Sequence, residues 1–553
     1  MQLRDEQDYD PTWMTKARVK RLPPDRTDVA IVGAGLGGLT AGAVLAQAGV
    51  KVAVFDQHYV AGGCCTQFSR GGPRKRYNFD IGLHYIGDCG PDGKIPQILG
   101  GLGIDLDVEP MDADGFDILV FPDFRFPIPV GLDRFRDRFV EMFPRERRGI
   151  DRYVRFLREI DDLLGRVDRN KGRMSWGIAW HAFTRGRLAN RYRNATLKDL
   201  LDSCSMDPQV RAVMAGQNGD YGLPPSRVSA SLHAGLSNHY FHGAYYPRGG
   251  GQTIADRLSA YIEAHGGSVH LRREVERILV EDGRAVGVRT RDHKGQTHEV
   301  RAPAVLSNAD LRVTLEQLLP PEALPAEWQD RSRGFEMAAA IFMTCLGIRG
   351  DMRERGMKCA NYWQFDGYDF ESFYDTARDM TPRGAYITSA TLKDPTTTHH
   401  APAGISSVEA MTVLSGKPEH WGLSGDSAQD QASDWDYKNR SAYLDLKARI
   451  EQDMIGRVET LFPGSRANIE FCESATPMSH IRYTRATDGT GYGLAATPQQ
   501  FFEHRPGYSG PLPGLYFAGA STRAGHGVLG AMLSGQRCAR RIARELGAPL
   551  PAW

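Results

Sequence analysis

The sequence predicts an α/β protein, and three observations predict it. Residues 28–56 read DVAIVGAGLGGLTAGAVLAQAGVKVAVFD: an apolar strand, a glycine turn, an Ala/Leu-rich helix and a second strand closed by an acid. A second glycine pair, Gly62 and Gly63, follows that acid, Asp56, by six and seven residues. From Ile254 to Asp310 a helical period passes into strand alternation and ends on the apolar strand of VLSNAD.

The first block is a dinucleotide-binding βαβ unit. Gly33 and Gly35 let the backbone turn tightly and approach a pyrophosphate, with Gly37 beside them, and Gly38 allows helix and strand to pack closely. The helix N-terminus offers unpaired N–H groups to an anion. Asp56, 18 residues after Gly38, stands where a carboxylate grips a ribose hydroxyl. Val29 to Ala46 is an uncharged run of 18 residues, near the lower length of a membrane span. Its five glycines, and the strand VAVF after it, argue against that reading.

Length and charge set the frame. The 553 residues are enough for two to four cores, and 68 Lys plus Arg against 67 Asp plus Glu give no global charge that would attract nucleic acid. The charged N-terminus MQLRDEQDYDPTWMTKARVKRLPPDRTD lacks the apolar core of a signal peptide. A cytoplasmic chain is therefore expected, with residues 1–25 as an N-terminal arm. Eight cysteines are scattered without a C-x-x-C pair, which reads as reduced thiols, with no disulfide frame and no metal site.

The second glycine pair sits in VAGGCCTQFSRGG, followed by RYNFDIGLHYIG. Glycines so soon after the acid turn the chain back toward the phosphates and favour FAD over NAD. Phe79, Asp80, Ile81 and Gly82 then form the F-D-x-G segment that crosses the flavin in the large flavoprotein class built on this βαβ unit. In the third block, Ile254, Leu258 and Ile262, closed by Gly266 and Gly267, mark an amphipathic helix of about four turns. SVHL, VERILV and AVGVRTR follow as strands, with Glu281-Asp282-Gly283-Arg284 as a hairpin turn.

YPRGGGQTIADRLSAYIEAHGGSVHLRREV, the strand pair ending in VLSNAD and the C-terminal GLYFAGASTRAGHGVLGAMLSGQRCARRI together resemble the phytoene desaturase family of FAD-dependent oxidoreductases, a family of carotenoid desaturases and isomerases. GGCCTQF and FDIGLHYIG resemble its retinol saturase branch. The resemblance covers most of residues 26–546 and is weakest over 110–240 and 320–470. It implies a Rossmann-like FAD-binding domain of residues 26–110, 240–312 and 505–546, and a discontinuous α+β substrate domain of 111–239 and 313–504. Gly33, Gly35, Gly37 and Gly38 would hold the pyrophosphate, Asp56 the ribose, and Gly62, Gly63, Cys64 and Gly82 the flavin side of the cradle. Val275 would meet the adenine through its backbone. Gly519, Ala520, Gly527, Val528 and Leu529 would run beside the ribityl chain and pyrimidine ring, with a helix starting near Val528 aimed at flavin N1 and C2=O. Amine oxidases of the same superfamily carry Arg directly after the glycine pair where this chain has Cys64, which lowers that reading.

Candidate catalytic residues are few, as hydride transfer in a dry pocket requires. His84, in IGLHYIG, should line the reacting side of the flavin, and His526, among glycines in AGHGVLG, could donate a hydrogen bond or relay a proton. Packing alone accounts for either histidine as well. Arg482 and Tyr483, in SHIRYTRATDGTGYGLAATPQQ, could orient a lipid's polar end or belong to a structural network.

Residues 169–198 carry eight Lys or Arg and no acid, interleaved with Trp176, Ile178, Trp180, Phe183 and Leu188. Cations meet anionic lipid while rings sit at headgroup depth, so this segment is expected to dock peripherally on a membrane; a solvated cationic face is the plainer alternative. No second GxGxxG follows a strand, so electrons are expected to pass to or from quinone, oxygen or a redox protein. The resulting expectation is an FAD enzyme that desaturates or saturates carbon–carbon bonds of a carotenoid, retinoid or other long apolar lipid. Two alternatives stay open: a flavin-dependent cis–trans isomerase of a polyene, and a prenyl-lipid escort protein without flavin, which has no need of Asp56, Gly62, Gly63 and the Gly-rich C-terminal block together.

Overall fold

The protein's structure is a computed structural model that describes residues 11–72, 75–170, 174–375, 379–423 and 436–549. Val29–Val32, four fully apolar and buried residues, lies at the centre of a five-stranded parallel sheet. Its order is Ser268–His270, Val52–Phe55, Val29–Val32, Ala304–Ser307 and Leu515–Phe517, so segments far apart in sequence build one sheet. The continuous apolar runs VAIV and VAVF of the strands Val29–Val32 and Val52–Phe55 suit strands covered on both faces.

Small residues allow that covering. On one face lie the helices Leu36–Gln47, Gln252–Ala264 and Gly527–Glu545. A methyl group at Gly535 would stand 2.2 Å from the carbonyl oxygen of Gly37, and one at Gly42 would stand 2.9 Å from Ile262 Cδ1, so glycine is what brings these helices together. On the other face, Ala30, Val32, Ala53 and Phe55 pack against Val275, Ile278, Ala285, Val288 and Val300 of a three-stranded antiparallel sheet, Arg273–Glu281, Arg284–Asp292 and Thr297–Arg301. Its first hairpin turns through Asp282 (φ 47°) and Gly283 (φ 71°), both left-handed as a two-residue turn requires.

The rest of the chain builds a second sheet of seven strands, ordered Ile469–Ala475, Ala340–Arg349, Ile405–Leu414, Gly384–Thr388, Asn361–Phe365, Asp117–Val120 and Arg125–Ile128. One pair, Asn361–Phe365 on Asp117–Val120, is parallel. Helices Arg147–Arg169 and Ala230–Phe241 pack beside it in a core rich in Phe and Tyr. Near the N-terminus, the helix Pro11–Lys20 is anchored by Arg18, whose guanidinium donates to both carboxylate oxygens of Glu263 at 3.2 and 3.1 Å. Among the described residues no helix is long and apolar enough to cross a membrane.

Candidate functional site

A cavity of about 1740 Å³ runs between the two sheets. That exceeds the roughly 300–1,000 Å³ of an ordinary small-ligand site, so a dinucleotide and a long substrate fit together. Of the residues singled out from sequence, Gly33, Gly35, Gly37, Asp56, Gly62, Gly63, Cys64, Gly82, His84, Val275, Tyr483, Gly519, Ala520, His526, Gly527, Val528 and Leu529 all line its wall. Gly38 and Arg482 do not. A methyl at Gly38 would stand 2.3 Å from the Gly33 carbonyl oxygen, which makes Gly38 the glycine of helix-to-turn packing.

The two glycine turns meet. Gly62 N–H donates to the Ala34 carbonyl at 2.7 Å, and a methyl on Gly63 would stand 3.1 Å from Gly35 Cα. Gly62 (φ 130°) and Gly63 (φ 61°) hold the left-handed backbone that this approach needs. The Asp56 carboxylate accepts from Ala34 N–H at 2.7 Å and His58 N–H at 2.8 Å, tying the second strand to the first turn. Burial raises its pKa above the ordinary carboxylate value, against those two hydrogen bonds and the nearby His58 charge.

Asn308, at the end of the strand Ala304–Ser307, was not singled out from sequence although VLSNAD contains it. Its side chain fills the space that a methyl on Gly35 or Gly37 would need, and its Oδ1 is buried with no partner among the described residues. Across from it the helix Gly527–Glu545 opens with His526 at its N-cap and no side-chain cap. Both ring nitrogens of His526 are buried without a partner among the described residues, and burial, aided by the Arg505 charge, brings its pKa down to about 3. His526 is therefore a neutral imidazole, suited to a hydrogen bond and unsuited to carrying a charge at neutral pH. Unpaired groups beside a bare helix N-terminus and a side-chain-free cradle fit a bound FAD.

The wall continues into a chamber of rings: Tyr85, Tyr240, Trp363, Tyr386 and Tyr492, with His84 and His526. Tyr85 stacks on Tyr240 (centroids 4.1 Å apart, 5° between planes), and Trp363 meets Tyr386 edge-on at 4.5 Å. Tyr492 lies 5.6 Å from the His526 ring, and its hydroxyl donates to the Gly219 carbonyl at 2.7 Å. His84 is buried with Nε2 unpartnered among the described residues; burial, then the Lys393 charge, bring its pKa down to about 3. Within this apolar surround stands one carboxyl that sequence reading missed, Asp220, whose side chain bonds to Tyr85.

Cys64 faces the cavity 3.5 Å from His480 Nε2. Burial opposes a thiolate there, but the His480 charge and hydrogen bond outweigh it and hold the thiol below its usual pKa. His480 is correspondingly raised: burial lowers it, and Cys64 together with the Gly489 carbonyl at 3.1 Å overcomes that. The helix Pro477–Thr484 that carries His480 turns Tyr483 toward His58, with ring centroids 5.0 Å apart and edge-on, and its carbonyl accepts from Gln57 Nε2 at 2.9 Å. Tyr483 thus stands on the cavity wall beside the residues that follow Asp56, and Arg482 lies off that wall.

Arg158, Asp161, Leu164, Val167 and Arg169 of the helix Arg147–Arg169 also line the cavity, together with Asp88, Asp92 and Lys94. The adjacent helix Trp176–Thr184 carries Trp176 (85% exposed), Trp180 (60%) and Phe183 (67%), whereas Ile178 and Leu188 are buried. Residues 171–173 lie outside the described residues.

Known proteins share these features. The profile of the NAD(P)-binding Rossmann-like domain matches residues 31–102, and that of flavin-containing amine oxidoreductases matches residues 454–543. The chain is 30% identical to all-trans-retinol 13,14-reductase of Danio rerio over 506 residues, covering 86% of this chain and 78% of the relative. It is 25% identical to the chloroplastic prolycopene isomerase of Daucus carota, over 94% of this chain and 80% of that protein. In fold it is similar to an oxidoreductase from Methanosarcina mazei, with TM-score 0.61 and 19% identity over 92% of this chain and 99% of the other. The Rossmann-like sheet, the glycine cradle and these relatives agree, and the chain belongs to the family of FAD-dependent oxidoreductases that includes all-trans-retinol 13,14-reductase and prolycopene isomerase.

Proposed function

We propose that this enzyme uses FAD to change the saturation of a carbon–carbon bond in a long apolar polyene of the retinoid or carotenoid class. The observation that carries the reading is the joining, in one cavity, of the glycine cradle to a chamber walled by aromatic rings. Bound FAD supplies two-electron hydride chemistry there. Gly33, Gly35, Gly37, Gly62 and Gly63 let the backbone approach its diphosphate, Asp56 receives the ribose, and Val275 stands at the adenine end. Gly82, Gly519, Ala520, Val528 and Leu529 border the ring, and the N-terminus of Gly527–Glu545 favours negative charge beside it. The aromatic walls orient an apolar chain by shape and keep water from the reacting carbons.

The same reading assigns Trp176, Trp180 and Phe183, with the exposed Arg185, Arg187, Arg191 and Arg193, to a peripheral membrane contact beside the cavity mouth. Electrons pass between the flavin and quinone, oxygen or a redox protein. Similarity to prolycopene isomerase favours one second reading, a polyene cis–trans isomerisation with no net redox change. The test is anaerobic single turnover of oxidised and of prereduced holoenzyme with retinol and carotene in vesicles. Saturation or desaturation in step with the flavin spectrum supports the reading; geometric isomers at constant flavin redox state support the second, and unchanged polyenes overturn both.

A further inference from the structure

The Tyr85 hydroxyl stands 2.7 Å from Asp220 Oδ2 and 3.1 Å from Asp117 Oδ2. A phenol has one proton to donate. Between two ionised carboxylates it would leave one of them facing an oxygen lone pair, so one of the acids must itself carry a proton and donate to the Tyr85 oxygen. The surroundings say which. Asp117, fully buried, also accepts from Asn361 Nδ2 at 2.8 Å and Gln217 Nε2 at 2.8 Å, so three donors compensate its charge. Asp220 has no other side-chain hydrogen bond among the described residues and lines the ring-walled chamber. Burial and the like charge of Asp117 raise Asp220 well above the ordinary carboxyl value; Asp117 is raised by burial too, but against those donors. Two interacting acids in unequal surroundings divide their roles in this way, one charged and one protonated.

Asp220 is also well placed. Gly219 and Gly222 on either side of it press on the chamber wall: the Gly219 carbonyl accepts from Tyr492, and a methyl on Gly222 would stand 2.9 Å from the Tyr492 ring. Tyr492 in turn adjoins His526, the N-cap of the helix Gly527–Glu545. Burial holds His84 and His526 toward the neutral imidazole, a far weaker acid than the imidazolium, and the Cys64 thiol is held toward its charged form.

We propose that Asp220 is the general acid of the site, protonating one carbon of a polyene double bond as the neighbouring carbon receives a hydride equivalent. In that step the C=C π bond, the carboxyl O–H bond and the bond that holds the hydride in the reduced cofactor break, and two C–H bonds form. The carboxylate regains its proton from water, and the two electrons come from the reduced cofactor, restored by a quinol-class or protein donor. A site that rests with this proton in place is set for saturation. This inference rests on the polyene reading above.

The test uses holoenzyme of the wild type, Asp220→Asn and Asp220→Glu. Asn keeps the bond to Tyr85, because its amide N–H stands where the carboxyl O–H did, so the fold and FAD retention should persist. First, the infrared difference between wild type and Asp220→Asn at neutral pH should show the C=O stretch of a protonated carboxylic acid, shifted in D2O. Second, prereduced wild type in D2O should place two deuteriums across the saturated bond, because the carboxyl proton and the transferable hydrogen of a cofactor reduced in D2O both come from solvent, with the rate lowered about 10²–10⁴-fold in Asp220→Asn and partly restored in Asp220→Glu. Absence of the band, or an Asp220→Asn rate within about threefold of wild type, overturns the inference and leaves the polyene reading standing. Wild type that saturates no polyene overturns the polyene reading and this inference together.

Discussion

Replacing Gly35 with Val separates cofactor binding from folding. Gly35 is the N-cap of Leu36–Gln47 with φ −71° and ψ 169°, a conformation open to any residue, so the backbone imposes no strain. The new Cβ would stand 2.8 Å from Asn308 Nδ2, the movable end of a side chain, and 3.9 Å from Asn308 Cγ. Displacing that amide costs about 1–3 kcal/mol of overpacking. The two methyl groups also occupy the space the diphosphate needs at the helix N-terminus, removing an anion–dipole interaction of up to ~2 kcal/mol. If the apoprotein avoids the clash and the bound state does not, the sum is about 1–5 kcal/mol, which at 1.4 kcal/mol per decade weakens FAD between about fivefold and a few thousandfold. Flavin fluorescence titration of refolded apoprotein measures this directly. Gly38→Ala is the control: its methyl would stand 2.3 Å from the Gly33 carbonyl oxygen and cannot be accommodated by a rotamer change, so it should lower Tm more than Gly35→Val does. Unchanged FAD affinity in a folded Gly35→Val protein refutes the cradle assignment.

Other outcomes follow from the same geometry. Cys64 should be alkylated by iodoacetamide faster than an ordinary thiol at neutral pH; His480→Gln should slow that reaction several-fold by raising the thiol, and equal rates in both proteins would contradict the pairing. Glu409 is buried with neither carboxyl oxygen hydrogen-bonded among the described residues, and burial brings its pKa up from 4.5 to about 8. A folded-state pKa raised above the unfolded value means stability is lost as pH rises from about 4.5 to about 8, so Glu409→Gln should flatten the fall in Tm across that window. His526→Phe should weaken FAD by about 1–2 kcal/mol through the lost hydrogen bond while leaving the pH profile of turnover between 5 and 8 unchanged, since the ring is neutral there; a shifted profile would show that His526 titrates. Ala at Trp176, Trp180 and Phe183 together should reduce cosedimentation with anionic vesicles at least tenfold, and undiminished binding would place the membrane contact elsewhere.

What the sequence made legible is what periodicity and local spacing encode. The strands Val29–Val32 and Val52–Phe55, the helix between them and the Asp282–Gly283 hairpin each declare themselves within a few residues. The contact of Gly62 with Gly35 could be anticipated because both turns serve one diphosphate. The chamber could not: Tyr85 and Asp220 are 135 residues apart, and Asn361 and Asp117 are 244 apart. Nothing in the local sequence distinguishes Asp220 from a surface aspartate, since its chemistry comes from the carboxylate packed behind it and the rings in front. Tyr483 shows the converse. Its motif pointed to the cavity, whose wall it does line, but the direction of the helix Pro477–Thr484 sets its ring against His58 there, which spacing alone does not reveal.

The most direct measurement is the flavin absorbance of dithionite-reduced holoenzyme, followed anaerobically after adding vesicles loaded with a retinoid or carotenoid. The account predicts that the oxidised flavin spectrum returns in proportion to the double bonds consumed, and that polyene-free vesicles leave it bleached. A flavin that stays reduced with every polyene, while the polyenes are recovered intact from the reduced and from the oxidised holoenzyme alike, would contradict it.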